Sequence, residues 1–304
     1  MRVTLIHNPG AGDEQQDAAD ELPGLIRAAG HDVRYQSAGD SDWSAALLAP
    51  ADLIVVAGGD GTVGRVAKRM VGRDVPLAVL PMGTANNISR TLGLVDVPHA
   101  EQIRGWERGR RVPFDVGLAK GPWGTRYFVE ALGLGLFAWS MPAADASYTL
   151  ANLDDAEAKV DYALKLMKDR LHRCPPIELR ASLDGADLSG TYVMFEAMLT
   201  QYVGPNLYLA PESKLADGMM DLVLVHDDER NKLEQYLAAW QNDRSHRPHL
   251  SAYRGRHLQI EWTGLHVHLD DEVWPGEDSL PPSQQTALIE VTIQRKAVEF
   301  ISPA

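Results

Sequence analysis

Five consecutive residues in the first third of the chain combine glycine with an acid in a pattern suited to phosphate chemistry. Gly58, Gly59 and Gly61 let backbone N–H groups come close to an anion, because no Cβ blocks the approach. Asp60 would repel a bare phosphate, so we expect it to help hold Mg²⁺ or to polarise an attacking group. Thr62 completes the loop. The alternative is an ordinary tight turn between a strand and a helix, and a glycine-rich turn alone does not decide between them.

Two further loops carry small and polar residues of the same kind. They contain Asn8, Pro9 and Gly12 in one case and Gly83, Thr84, Asn86 and Asn87 in the other. Proline fixes a backbone dihedral and glycine opens the turn, so the earlier loop is a second candidate to face phosphate. In the later loop, threonine and asparagine could simply cap a helix. Two adjacent asparagines exceed what capping requires, which favours a functional interpretation.

The elements around these loops predict how they are positioned. Short apolar runs at 3–6, 53–56 and 77–80 each precede one loop, and helical periodicity separates the runs. Continuous apolar runs of this length are typical of strands buried on both faces. We therefore predict a doubly wound parallel α/β sheet, with all three loops at its carboxyl edge, where such sheets bind ligands.

From residue 114 onward the pattern changes to a mostly β, antiparallel one. Strands are predicted at 114–119, 126–132, 177–183, 190–200, 219–225, 257–262, 264–269 and 287–293. One long amphipathic helix interrupts them at about 153–172. We predict two domains, 1–112 and 113–304, with the last residues free to pack back on the first domain.

Two acidic spots stand out in the second half. Asp217 lies in the turn 214–219, where a carboxylate and neighbouring carbonyls could hold a hard cation or could simply be solvated. The run 270–272 could be a solvated turn or could supply a general base. Strand alternation does not separate Asp270 from Glu272. His266 and His268 share one face of the preceding strand, and we expect them to be exposed to solvent rather than to bind zinc.

The composition excludes several classes of protein. The 304 residues are 45% hydrophobic and carry a net charge of −13, which argues against nucleic-acid binding and against broad adhesion to anionic lipid. The single Cys174 excludes an internal disulfide framework. The start lacks a signal-peptide pattern, and no apolar run suits a transmembrane helix. We expect a cytoplasmic protein that can still dock locally on a membrane surface.

Together, these motifs resemble the diacylglycerol kinase catalytic-domain family, which includes bacterial lipid kinases and sphingosine-type kinases. The resemblance rests on the pentad 58–62, preceded by Asn8-Pro9 and followed by Pro81-x-Gly83-Thr84-x-Asn86. It continues through Asp217-Gly218 and the acidic cluster, and so covers essentially the whole chain. The pentad alone is shared with NAD kinases, which have a related fold.

The resemblance implies an N-terminal nucleotide domain, a β-sandwich-like C-terminal domain and a cleft between them. ATP phosphates would lie on the 58–62 loop, and Thr84 would help contact the nucleotide. Glu272 matches the glutamate that takes the proton from a lipid hydroxyl. A structural Mg²⁺ would be bound by carbonyls of Lys214 and Met219 and by the carboxylate of Asp217.

Two departures from the family pattern bear on activity. Asn87 stands where an aspartate is usual, and Asp271 where a glycine is usual. We therefore expect an ATP- and Mg²⁺-dependent lipid kinase that acts on a hydroxyl such as that of diacylglycerol, taken from the membrane surface. The alternatives are an NAD kinase-like enzyme or a catalytically weak protein that binds nucleotide or lipid. The lipid's identity and a homo-oligomeric state stay open.

Overall fold

The structure is a computed structural model that describes residues 1–11, 18–275 and 287–302. The chain forms two compact units, the first from Met1–Phe114 with Lys296–Ala304 and the second from Asp115–Arg295. One strand, β18 (Ala287–Ser302), begins in the second unit and ends in the first.

The first unit alternates strands and helices. Its elements are β1 (Arg2–His7), α1 (Ala18–Ala28), β2 (Asp32–Ser37), a 3₁₀ helix (Trp43–Leu48), β3 (Leu53–Gly58), α2 (Asp60–Met70), β4 (Leu77–Pro81), α3 (Asn87–Thr91), α4 (His99–Gly105) and a second 3₁₀ helix (Trp106–Arg108). The strands pair in parallel in the order β2-β1-β3-β4, and Phe300 of β18 adds a parallel neighbour beside Leu77. The predicted parallel α/β sheet is confirmed.

The central strand β3 shows why this sheet forms. All six of its residues are buried, which requires cover on both faces of the sheet. On one face Val55 and Ala57 pack in a cluster with Leu22 of α1 and Ile103 of α4. The strand stops at Gly58, and α2 starts two residues later with Val63, Val66 and Met70 on its buried side.

The second unit is mostly antiparallel. Its strands are β5 (Arg110–Gly121, which starts in the first unit), β6 (Gly124–Phe128), β7 (Ala131–Gly135), β8 (Ile177–Leu183), β9 (Ala186–Asp187), β10 (Gly190–Met198), β11 (Tyr202–Val203), β12 (Leu207–Tyr208), β13 (Met220–His226), β14 (Ser251–Gly255), β15 (His257–Trp262), β16 (Val267–Leu269) and β17 (Glu272–Trp274). Its helices are α5 (Leu136–Asp145), α6 (Tyr148–Ala151), α7 (Ala156–Leu171), α8 (Arg230–Asn242) and a 3₁₀ turn (Asp227–Glu229). The predicted antiparallel β-rich region is thus confirmed.

Two apolar layers build the second unit, one on each side of its central strands. Side chains such as Phe195 and Leu222 belong to a layer made by strands alone. The other layer contains Met194 and Val223 together with buried residues of α5, α7 and α8. From Met194 to Met198, successive residues of β10 therefore point alternately into the helix layer and the strand layer.

Several sequence-based boundaries in this unit are wrong. The strand predicted at 126–132 is two strands, β6 and β7, and the one at 264–269 starts only at Val267. Helices α5, α6 and α8 were not predicted, although α7 was. The C-terminal strand runs nine residues beyond its predicted end at residue 293, to Ser302. No helix in the described parts of the chain is long and apolar enough to cross a membrane.

Candidate functional site

Three loops of the first unit meet at the carboxyl edge of its parallel sheet. In register, His7 lies beside Ala57 and Gly58 beside Pro81, so the loops after β1, β3 and β4 start side by side. Hydrogen bonds join the starts of these loops: Asn8 N–H donates to the Ala57 carbonyl at 2.9 Å, and Met82 N–H donates to the Gly58 carbonyl at 3.1 Å. The sequence placed these loops together correctly. Gly12 lies outside the described residues.

Two glycines touch where the second and third loops pass each other. A Cβ on Gly59 would lie 2.9 Å from the Gly83 Cα, and a Cβ on Gly83 would lie 2.3 Å from the Gly59 Cα. Both positions therefore exclude any side chain, and the surface there is built from backbone. Gly59 immediately precedes α2, whose first N–H groups and dipole favour an anion.

Asp60 ties the two loops together through its carboxylate. Its Oδ2 accepts the Asn87 N–H and its Oδ1 accepts the Ile88 N–H, each at 2.9 Å, so Asp60 caps the short helix α3. Burial raises the pKa of the Asp60 carboxyl, and the two backbone hydrogen bonds oppose that rise. This capping role is visible without any metal, and the sequence did not predict it.

The side chains of Asn8 and Asn86 form hydrogen bonds with other residues of these loops. Asn8 donates from its amide to the Thr62 hydroxyl at 3.2 Å. Asn86, at a φ of 54°, accepts the Gly83 N–H at 2.9 Å and donates to the Gly83 carbonyl at 2.6 Å. Asn87 is only 2% exposed, whereas Thr84 is exposed. Of the polar side chains in the third loop, Thr84 is thus the one placed to meet a ligand.

These loops fit a nucleotide's phosphates. They present backbone without side chains where Gly59 and Gly83 touch, because a Cβ on either glycine would collide with the backbone of the other loop. Asp60 could take part in holding Mg²⁺ through lone pairs that its two N–H partners leave.

At the turn 214–219, an arginine from the neighbouring strand β14 lies where a cation was expected. Asp217 pairs through Oδ2 with the Arg254 guanidinium, and its Oδ1 accepts the Met219 N–H at 3.1 Å. Arg254 also lies 3.1 Å from Asp221, its neighbour across β13 and β14. A dication beside Asp217 would face this guanidinium at short range, so these residues fit an ion pair better than a bound Mg²⁺. Within residues 1–11, 18–275 and 287–302, no three His, Cys, Asp or Glu side chains form a metal-binding group.

The three acids at 270–272 have different surroundings. The Asp270 carboxylate accepts the N–H groups of Val129 and Glu130, at 3.0 and 2.8 Å, and its own φ is 54°. Asp271 is exposed. Glu272 begins β17, with a side chain 54% exposed, and accepts a hydrogen bond from Arg126 at 2.7 Å. Asp270 therefore holds the turn, while Glu272 stays accessible to a ligand.

Sequence reasoning was wrong about His268. Its side chain is 2% exposed, because helix α5 covers that face of the strands, and its Nε2 lies 2.7 Å from the carboxylate of fully buried Glu196. His266 is exposed, as expected. A single glutamate inside the apolar run of β10 was the signal that could have found this pair.

The predicted site residues thus form separate groups. The phosphate-loop residues lie together in the first unit, and the other two groups belong to the second. Within the second unit, Glu272 on β17 and the turn before β13 are four strand positions apart, about 19 Å at ~4.8 Å per strand. The structure does not bring Glu272 and Asp217 together.

Two family profiles match the chain. The profile described as diacylglycerol kinase catalytic domain matches residues 2–119. The profile described as YegS C-terminal NAD kinase beta sandwich-like domain matches residues 143–287. Their joint span includes all three candidate phosphate loops, the Asp217 turn and Glu272.

Curated relatives are similar over most of their length. A diacylglycerol kinase of Bacillus subtilis is 31% identical over 237 residues, which are 74% of this chain and 73% of that protein. A diacylglycerol kinase of Mycobacterium tuberculosis is 25% identical over 300 residues, 93% of each.

Solved structures share the fold. A diacylglycerol kinase of Bacillus anthracis aligns with a TM-score of 0.73 at 21% identity, over 99% of this chain and 96% of that one. Yeast NADH kinase complexed with NADH aligns more distantly, with a TM-score of 0.50 at 11% identity, over 100% of this chain and 84% of that one.

Proposed function

The chain belongs to the diacylglycerol kinase catalytic-domain family and is a lipid kinase, and we propose that it transfers the terminal phosphate of ATP, with Mg²⁺, to a lipid hydroxyl such as that of diacylglycerol. The observation that carries the ATP part is the contact between Gly59 and Gly83, which leaves backbone alone facing the ligand. Phosphoryl transfer depends mainly on positioning and electrostatics, which such a surface can supply.

In this proposal the first unit binds the nucleotide. The loops at 58–62 and 82–84 hold the phosphates, and Thr84 contacts the nucleotide from its exposed position. Asp60 keeps the two loops in register through α3 and helps hold Mg²⁺. When bound, Mg²⁺ supplies positive charge that neutralises the transferred phosphate.

Glu272 is the proposed general base. Its side chain is exposed at the start of β17, and Arg126 holds one carboxylate oxygen. Such a carboxylate can accept the proton of a lipid hydroxyl while the hydroxyl oxygen attacks the terminal phosphorus of ATP and ADP leaves. Asp270 fixes the turn before Glu272. The proposed reaction uses no cation at the Asp217 turn, because Arg254 already supplies positive charge there.

The test is incubation of the purified protein with radiolabelled ATP and vesicles that contain diacylglycerol, phosphatidylglycerol or sphingosine, with and without Mg²⁺. We expect labelled lipid only when Mg²⁺ is present. A parallel reaction with NAD tests the NAD kinase-like alternative. Labelled NADP without labelled lipid would overturn the proposal.

A second candidate is a protein that binds nucleotide or lipid without rapid turnover. Asn87 is an amide where the family has a carboxylate. It is buried, and its backbone N–H donates one of the two hydrogen bonds to Asp60. The missing charge favours this candidate. Calorimetric ATP binding with no labelled lipid would support it. Asn87→Asp would then be expected to restore Mg²⁺-dependent transfer.

A further inference from the structure

Three neighbouring strands of the second unit place a buried acid and a buried histidine in one row. His268 of β16 lies directly opposite Gly133 of β7, and Gly133 lies directly opposite Glu196 of β10. Side chains two strands apart normally have a third side chain between them. Here the middle residue has none, so Glu196 and His268 reach each other across the glycine.

The fit around Gly133 is specific to this pair. A Cβ on Gly133 would lie 2.1 Å from a carboxylate oxygen of Glu196. The Glu196 Oε2 lies 2.7 Å from His268 Nε2, with exposed side-chain fractions of 0% and 2%. Met194 and Met198 flank Glu196 on the same face of β10, and the Phe137 ring lies 5.9 Å from the imidazole. The pair is therefore polar in an otherwise apolar layer.

His268 links this pair to the acidic turn. Its Nδ1 lies 3.1 Å from the backbone carbonyl of Asp270, and a carbonyl only accepts, so Nδ1 carries the hydrogen. Asp270 has a left-handed φ of 54°, its N–H donates to the Ala131 carbonyl at 2.8 Å, and its carboxylate accepts two further N–H groups. Glu272 follows two residues later.

Stability alone does not account for such a pair. Burying a carboxylate and an imidazole costs desolvation energy, and apolar side chains of similar volume are often at least as stabilising. What an apolar pair lacks is a donor for the Asp270 carbonyl. Burial by itself would lower the pKa of His268, but the neighbouring Glu196 carboxylate and the Asp270 carbonyl raise it above its ordinary value. Burial also raises the pKa of Glu196.

We propose that Glu196 and His268 are positioning residues that hold the Asp270 carbonyl, and through it the Asp270–Glu272 turn, in the arrangement that phosphoryl transfer needs. Glu196 orients the imidazole, and the imidazole anchors the turn that precedes Glu272. This inference rests on the proposed lipid kinase function. A displacement of about 1 Å at a reacting group can cost roughly 10²-fold in rate.

The test compares a double variant with the wild type. Glu196→Met with His268→Phe removes both polar groups and keeps similar volume, so we expect little change in Tm. We expect kcat for lipid phosphorylation to fall about 10- to 100-fold with the KM for ATP unchanged, since only the turn is displaced. Glu196→Gln keeps an acceptor for the imidazole and is expected to stay within about threefold of the wild type, as a positioning role requires.

A second readout does not depend on activity. Hydrogen exchange of the Asp270 amide should be faster in the double variant, because the anchored turn loosens. If the wild type makes no labelled lipid, the proposed function fails, and this exchange measurement still decides the positioning role. Wild-type exchange together with wild-type kcat in the double variant would overturn the inference. If the double variant does not fold, His268→Gln replaces it, and unchanged kcat and exchange in that variant overturn the inference equally.

Discussion

Glu272 and Asp271 are adjacent and exposed, but only Glu272 is bound by Arg126. At the scale of single residues, substitutions of Glu272 and Asp271 can therefore be compared as test and control. Glu272→Gln should lower kcat by about 10²–10⁴-fold, the usual contribution of a general base. ATP affinity should be unchanged, because the phosphate loops belong to the other unit. Steady-state phosphorylation of the active lipid measures kcat, and isothermal titration calorimetry measures ATP affinity.

Asp271→Asn is the control, with kcat expected near that of the wild type. Asp270→Asn is a poor control, since the Asp270 carboxylate accepts the N–H groups of Val129 and Glu130. No pattern in the sequence indicates these contacts. A Glu272→Gln protein with wild-type kcat would remove Glu272 from the mechanism.

Thr84 offers a way to weaken nucleotide binding without disturbing the glycines. A substitution at Gly59 would push against the Gly83 backbone and displace the loop. Thr84 is exposed, so Thr84→Asp adds a negative charge next to the proposed phosphate site with little effect on packing. Repulsion of about 1 kcal/mol at ~4 Å even in bulk water corresponds to a roughly fivefold loss of ATP affinity.

Isothermal titration calorimetry measures this affinity. The control is Thr263→Asp, the same change at an exposed residue in a turn of the second unit. Equal ATP affinity in the two variants would place the phosphates elsewhere.

At the scale of elements, a strand or helix was predictable where the pattern of its own residues determines it. The apolar run of β3, its glycine stop and the helix α2 follow from local pattern, and the three loops then meet because parallel strands share one carboxyl edge. His268 was misjudged because alternation says which face a side chain takes and not what covers that face. The helix that covers it, α5, starts directly after Gly135, the last residue of β7, and lacks a clear polar face.

Helix α8 shows a different failure. Its buried residues have helical spacing, so the signal is present in the sequence: Leu233, Tyr236, Leu237 and Trp240. The pairing of Asp217 with Arg254 spans 37 residues and two strands, and no local pattern reveals it.

The antiparallel pair β13–β14 gives a prediction about metal binding. Because the Arg254 guanidinium pairs with both Asp217 and Asp221, the Tm of the nucleotide-free protein should be the same in Mg²⁺ and in EDTA. Arg254→Met leaves Asp221, whose side chain is 6% exposed, without its cation and should lower stability by about 1–3 kcal/mol. Added Mg²⁺ should then raise the Tm of this variant. Thermal unfolding by circular dichroism measures each case.

The control is Arg256→Met, two residues along and exposed, with no expected change in Tm. A Mg²⁺-dependent rise in wild-type Tm that disappears in Asp217→Asn would show instead that a cation binds beside Arg254.

At the scale of the whole molecule, charge decides how the protein approaches a lipid surface. A net charge of −13 opposes attraction to anionic headgroups over distances of about one Debye length, ~8 Å at physiological salt. Co-sedimentation with phosphatidylcholine vesicles should therefore not improve as phosphatidylglycerol is added. Higher salt should increase binding to the anionic vesicles, because it screens the repulsion between the protein and the lipid. Binding that grows with phosphatidylglycerol and weakens with salt would contradict this and would indicate a local basic surface.

The strand β18 has a consequence for how the protein is made. The first unit needs residues from both ends of the sequence: Phe300 pairs beside Leu77, its ring packs against Phe114, and Ile301 joins the core beneath β3. During translation these residues emerge roughly 10–40 s after residue 114, at about 5–20 residues per second. Until then β4 is a bare edge of an apolar parallel sheet, the kind of edge that pairs with other chains. A nascent chain stalled in this interval would contain the loops after β1, β3 and β4, but the edge of β4 would lack its partner β18. The first unit can therefore complete its sheet only after the second unit has been synthesised.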